Sequence, residues 1–137
     1  MNILRISAVF LAAAYLAAGC GKKASEPAEP PEAAVTQWWR AVAYGDRDTV
    51  ERRAVPGAVR ELSAAQSAEY ARIRRSAAAG DELAVRMLKR LDGIRTGEVN
   101  SGPERAIVKL VMDDGRPFMT AYLQAREGRW VIVELTR

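Results

Sequence analysis

Cys20 is the only thiol in the sequence, and no histidine accompanies it anywhere in the 137 residues. A nucleophilic thiol or serine needs a base within reach, usually an imidazole, so Ser-His-Asp and Cys-His arrangements are excluded from composition. Any metal site built on imidazole is excluded with them. Gly21-Lys22 has no partner glycine at phosphate-loop spacing. Carboxylate and phenol chemistry is what remains. Asp113 and Asp114 immediately precede Gly115, the arrangement of turn residues. Tyr44 and Tyr122 have a phenol to offer as pocket acids, but each lies in an apolar pattern where a core role is the default. No cofactor and no metal-ligand set is expected.

The residues before Cys20 give the thiol a different chemistry. Arg5 is followed by an uncharged run from Ile6 to Ala18, then Gly19 and the cysteine. A basic start, a short apolar run and small residues before a cut site are the parts of an export signal. The run is shorter than the ~20 residues that a helix needs to span a bilayer. No later segment is longer or more apolar. With one cysteine no internal disulfide can form, although an exported compartment would permit one.

Leu16-Ala17-Ala18-Gly19-Cys20 resembles the lipobox of bacterial lipoproteins. It departs from the usual pattern in carrying Ala17 where a large aliphatic residue is common, with Leu16 one place earlier. The resemblance implies that residues 1–19 are a signal peptide and that the Cys20 thiol receives a diacylglyceryl group. Cys20 then becomes the N-terminus. Several acyl chains, at about 0.8 kcal/mol per buried methylene, make a stable anchor where one is marginal. Gly21 rather than Asp after the cysteine implies, by the same resemblance, sorting to the outer membrane, facing the periplasm.

Residues 20–31 are the lipidated cysteine and a Pro/Glu-rich segment without large apolar groups, read as a flexible tether. Residues 32–137 form one domain with room for a single modest core. Val35, Trp38, Trp39 and Val42 recur at i, i+3, i+4 and i+7, one helical face, with Pro31 suited to the first helical position and Gly45 to the stop. Asp46 can cap a short second helix to about Ala54, ended by Pro56-Gly57. Ser63-Ala64-Ala65-Gln66 has the capping-box pattern and predicts a third helix from there to about Gly80. Asp81 caps a fourth, Glu82 to Asp92, whose Leu83, Ala84, Met87, Leu88 and Leu91 read as a core stripe. The last two helices are equally readable as one long kinked helix.

After Gly93 the period shortens to two. Arg105–Met112, Phe118–Ala125 and Trp130–Leu135 are β-branched and aliphatic runs, with Asp114-Gly115 and Glu127-Gly128 as turns between them. Ile94–Asn100 adds a weaker strand, turned back by Ser101-Gly102-Pro103. Helices first and a meander afterwards predict an α+β fold, helices packed on one face of an antiparallel sheet of three to four strands.

Two stretches carry a further resemblance. The opening helix ends in Tyr44-Gly45-Asp46, and the chain closes with a strand, a Glu127-Gly128-Arg129 turn and Trp130-Val131-Ile132. The layout resembles the nuclear-transport-factor-2-like, or cystatin-like, superfamily, whose helices pack into a curved sheet. Small bacterial lipoproteins carrying a domain of that type are the nearest look-alikes. The resemblance implies a cone between helices and sheet that binds ligands or, in some members, does acid–base chemistry with Asp and Tyr.

Trp38, Trp39, Tyr44, Phe118, Tyr122 and Trp130 have the character to line such a concavity. Core packing is the competing use, since a small domain needs large side chains to close. Adjacent tryptophans on a helix point about 100° apart, so one is expected in the core and the other at a rim or surface. The formal charge is +4, at a pI near 9.6. Arg52, Arg53, Arg72, Arg74, Arg75, Arg86, Lys89 and Arg90 crowd the helical half. An exported, tethered chain rarely meets nucleic acid, so no nucleic-acid partner is expected; a solvated helix face, anionic lipid or an acidic protein are the readings left. The expected function is a non-enzymatic envelope lipoprotein whose domain binds a small ligand or an envelope protein. The competing expectations are an Asp/Tyr enzyme and an accessory or immunity-type factor using the arginine-rich helices.

Overall fold

A computed structural model of the chain describes residues 26–137. Cys20, the expected signal peptide and the first part of the expected tether lie outside the described residues. Four helices precede four strands: α1 (Pro31–Tyr44), α2 (Arg47–Arg53), α3 (Ala58–Ala78), α4 (Glu82–Asp92), then β1 (Arg95–Ser101), β2 (Arg105–Val111), β3 (Pro117–Arg126) and β4 (Arg129–Thr136). The class is α+β. The sheet is an antiparallel meander in the order β1-β2-β3-β4.

Alternation decides which sheet face is covered. Ala106, Val108 and Leu110 of β2, and Met119, Ala121 and Leu123 of β3, are buried, while Arg105, Ile107 and Lys109 are exposed. The buried rows belong to one core cluster with Val35, Trp38, Trp39 and Val42 of α1 and Trp130 and Ile132 of β4. The α1 face predicted from periodicity is therefore the face in the core. Pro31 opens α1 and Gly45 closes it in the left-handed conformation, at φ 72°, where a side chain would be strained.

Asp46 caps α2 as expected, its carboxylate accepting from the Thr49 amide at 3.2 Å and hydroxyl at 2.6 Å. Those bonds, the hydroxyl's first, hold the Asp46 carboxyl below the usual carboxylate range. The C-terminal carbonyls of α1 and α2 are met from α3. Arg74 donates to Ala43 O at 2.8 Å, and Arg60 to Glu51 O and Ala54 O, both at 2.9 Å. A cation at a helix C-terminus satisfies orphan carbonyls and opposes the negative end of the dipole. After α2 the chain passes β4, where the Val55 amide donates to Ile132 O at 3.0 Å and covers that one position of the sheet edge.

Two expectations for the helical half are corrected. α3 begins at Ala58, not at the Ser63 capping box. Ser63 sits inside the helix, buried, and bonds back to Val59 O at 2.7 Å rather than forward to an amide. The same hydroxyl that suits a cap also suits this i−4 bond, and the sequence pattern does not distinguish them. The second correction concerns α4. Asp81 caps it, and Ala84, Leu88 and Leu91 pack inward, but Leu83 is 61 % exposed and Met87 37 %. α4 packs mainly on α3, which covers the centre of its apolar arc and leaves one shoulder open. Gly80, at φ 92°, separates α3 from α4, so they are two helices.

The end of the expected tether is also not free chain. Pro27 is buried. The Trp130 indole donates to Glu29 O at 3.1 Å, and the Glu29 carboxylate forms a two-pronged ion pair with Arg53. Arg53 also reaches Trp130 O at 3.3 Å and Gln37 Oε1 at 2.7 Å, so one guanidinium ties the segment before α1 to α1 and β4. Composition alone does not show this, because the latch uses one backbone carbonyl and one carboxylate and no large apolar group.

Candidate functional site

The helix–sheet interface is filled. Trp38 and Trp130 are fully buried and Trp39 nearly so, all within the single core cluster. Trp39 lies edge-on to Phe118, with centroids 5.3 Å apart, and to Tyr70 at 6.3 Å. Trp38 Nε1 donates to the buried Ser63 hydroxyl at 3.1 Å. The six aromatic residues expected at a common concavity do not share one, and Phe118 is packed against Trp39. Trp38, Trp39 and Trp130 are core; Tyr44 is 77 % exposed at the end of α1. Tyr122 pairs with Ile107 and Glu134 on the sheet face turned away from the helices. A small domain closes only if its largest side chains are inside, and here both neighbouring tryptophans reach the interior.

Asp113 and Asp114 belong to the β2–β3 turn. Asp114 accepts from the Arg116 amide at 3.0 Å and pairs with its side chain. Neither is placed near Tyr44 or Tyr122 by any bond within the described residues. Among those residues no group of three or more carboxylates, histidines or cysteines is arranged to hold a metal ion. No helix among them is long and apolar enough to cross a membrane.

Open space lies outside the core. The outward stripe of α1 (Ala33, Thr36, Gln37, Arg40 and Tyr44), with Glu29, Asp46 and Thr49, lines a cleft of about 630 Å³. The latched segment before α1 is one wall, and α2 is the other. Its polar groups have both signs. Glu29 and Gln37 are engaged by Arg53, and Asp46 by Thr49. Among the described residues Arg40 and Glu32 make no side-chain hydrogen bond or ion pair. A cleft holding a free cation, a free carboxylate and a phenol suits a small polar or zwitterionic ligand, or peptide backbone, better than an apolar one. Tyr44 is the one expected pocket residue that lines it. Arg40, Glu32 and Gln37 are legible only as the polar side of an amphipathic helix, a pattern every surface helix shares.

A second hollow of about 530 Å³ lies between α2 and α3, lined by Val50, Ala64, Ser67, Ala68 and Ala71. Arg47, Glu51, Arg60 and Glu61 also line it, and the Arg60 guanidinium is already engaged by the carbonyls of Glu51 and Ala54. The arginine-rich helices are only partly solvated. Arg74 lies over the rings of Tyr70, 4.8 Å from its centroid, and Tyr44, at 5.3 Å. Arg72 is paired with Glu69, which holds the Glu69 carboxyl low and the guanidinium high.

Compared with known proteins, the chain matches no family model, no curated protein and no solved structure.

Proposed function

We propose that this chain is a lipid-anchored, non-enzymatic binding module of a bacterial envelope, held at the membrane by acylated Cys20. On this reading its domain has the nuclear-transport-factor-2-like arrangement of helices on a meander sheet, and its ligand site is the polar cleft beside the latched N-terminal segment. The observation that carries the reading is the position of Glu29. That residue belongs both to the cleft wall and to the latch on Arg53 and Trp130. The cleft therefore adjoins the point where the chain leaves for Cys20. The lack of histidine and of a second thiol supports binding over chemistry. The resemblance of Leu16–Cys20 to a lipobox supports the anchor and a periplasm-facing, outer-membrane address.

Two measurements test it. Cys20→Ser releases the protein from membranes or leaves it unprocessed; palmitate labelling that persists in this variant would refute the anchor. A photocrosslinking residue at Gln37 captures a small ligand or an envelope protein in cells, while the same residue at Tyr122 does not. Adducts at both positions alike, or at neither, reject the cleft.

A further inference from the structure

The exposed shoulder of α4 carries a pattern that neither the core nor the cleft uses. Leu83, Arg86, Met87 and Arg90 stand at i, i+3, i+4 and i+7, one stripe along the outside of the helix. Leu83 and Met87 are two of the few large apolar side chains left open to water, and both arginines are exposed beside them. The surrounding charge is positive on balance. Residues 69–92 contain five arginines and one lysine against four carboxylates, Glu69, Asp81, Glu82 and Asp92, a surplus of two positive charges. Arg72 is engaged by Glu69, and Arg74 by Ala43 O and two tyrosine rings. Arg75, Arg86, Lys89 and Arg90 make no ion pair among the described residues.

We propose that this stripe of α4 docks on the surface of an anionic lipid bilayer, Leu83 and Met87 entering the headgroup boundary and Arg86 and Arg90 meeting phosphates. The occupant follows from charge complementarity and from reach. A helix presenting apolar and basic side chains together is the form that lies in a bilayer interface. Five residues separate Cys20 from Glu26, the first described residue, and the six steps between them span at most about 20 Å extended. On the anchored reading, on which this inference builds, the bilayer is a surface the domain meets at high effective concentration, so a weak patch suffices to orient it. One acylated cysteine with a basic amphipathic patch makes a two-signal attachment.

The test uses the mature, unacylated chain from Gly21. Every buried residue among the described ones lies between Pro27 and Ile132, within this chain, so it retains the described fold. Its partition is measured on vesicles of phosphatidylglycerol in phosphatidylcholine and on phosphatidylcholine alone. The expected result is binding to the anionic vesicles only, weakened by salt. Arg86→Glu with Arg90→Glu lowers the partition tenfold or more, at roughly fivefold per arginine near the surface. Leu83→Ser with Met87→Ser lowers it too, without changing the salt dependence. Arg126→Glu with Arg129→Glu, at the far end of the sheet, leaves it unchanged, and circular dichroism shows each variant folded. Equal partition to neutral vesicles overturns the proposal, as does equal loss in the far-end variant. So does a chain that ignores lipid and is retained only by an acidic protein. Palmitate labelling of the intact cell protein scores the anchor separately, so either can fail alone.

Discussion

Trp38 and Ser63 are joined by a hydrogen bond of 3.1 Å between two side chains that water does not reach. Ser63 in turn donates a hydrogen bond to Val59 O one turn back, at 2.7 Å. The indole of α1 and the backbone of α3 are thereby fixed to one another through one hydroxyl, in the middle of an otherwise apolar contact. No buried side-chain nitrogen or oxygen among the described residues is left without a partner. The Trp38–Ser63 bond is one reason for that.

Removing the hydroxyl strands the indole N–H in the core. Ser63→Ala is expected to lower stability by about 1–3 kcal/mol, the cost of an unsatisfied buried donor. Denaturant unfolding followed by tryptophan fluorescence measures it. A value within error of wild type shows that water or a shifted acceptor reaches Trp38.

Tyr70 makes stability depend on alkaline pH. Burial, then the hydrogen bond its hydroxyl donates to Asp92, and then that carboxylate's charge raise its pKa well above the ordinary phenol value. The unfolded chain releases this proton near pH 10, while the folded chain holds it to higher pH. Between the two the unfolded state binds fewer protons, so stability is complete below about pH 10 and falls as the pH rises. Tyr70→Phe is expected to flatten that fall. Unfolding midpoints of the two chains at pH 8 and pH 11 check it, and parallel losses overturn it.

Gly93 sits where α4 turns into β1. A Cβ there would stand 2.9 Å from the Cβ of Asp113 and 3.4 Å from Arg90 O. The obstacle is the root of a side chain, which moves only if the β2–β3 turn moves with it. Gly93→Ala is expected to cost about 1–3 kcal/mol, as overpacking does. The midpoint in urea reads the effect. The local φ of −84° is open to alanine, so a loss would report crowding and not backbone strain.

The latch before α1 is a local feature and opens locally. Arg53→Ala removes the ion pair to Glu29 and the bonds to Gln37 and Trp130 O. The pair is partly exposed, so global stability drops by no more than about 1 kcal/mol. Proteolysis between Glu26 and Pro31 is expected to quicken several-fold more than global unfolding does. Mass spectrometry of the fragments locates the cuts; unchanged cleavage there shows that Trp130 alone holds the segment.

The sequence by itself determined the elements and most of their ends. Periodicity of 3.6 placed Val35, Trp38, Trp39 and Val42 on one face, Gly45 and Asp46 marked a stop and a cap, and alternation with Asp114-Gly115 and Glu127-Gly128 marked the hairpins. These are local effects: side-chain direction, cap hydrogen bonds and turn dihedrals act within a few residues. Only the tertiary structure decided which apolar stripe is covered and which polar group is used. Leu83 and Met87 have the pattern of core residues, but burial requires a second element, and α3 covers only part of α4. Ser63 reads as a cap until Trp38 is beside it. Arg53 and Arg74 read as solvated charge until the carboxylate and carbonyl they bind come from elements far along the chain. The cleft is invisible in sequence for the same reason: its walls meet only when the segment before α1 folds back onto β4.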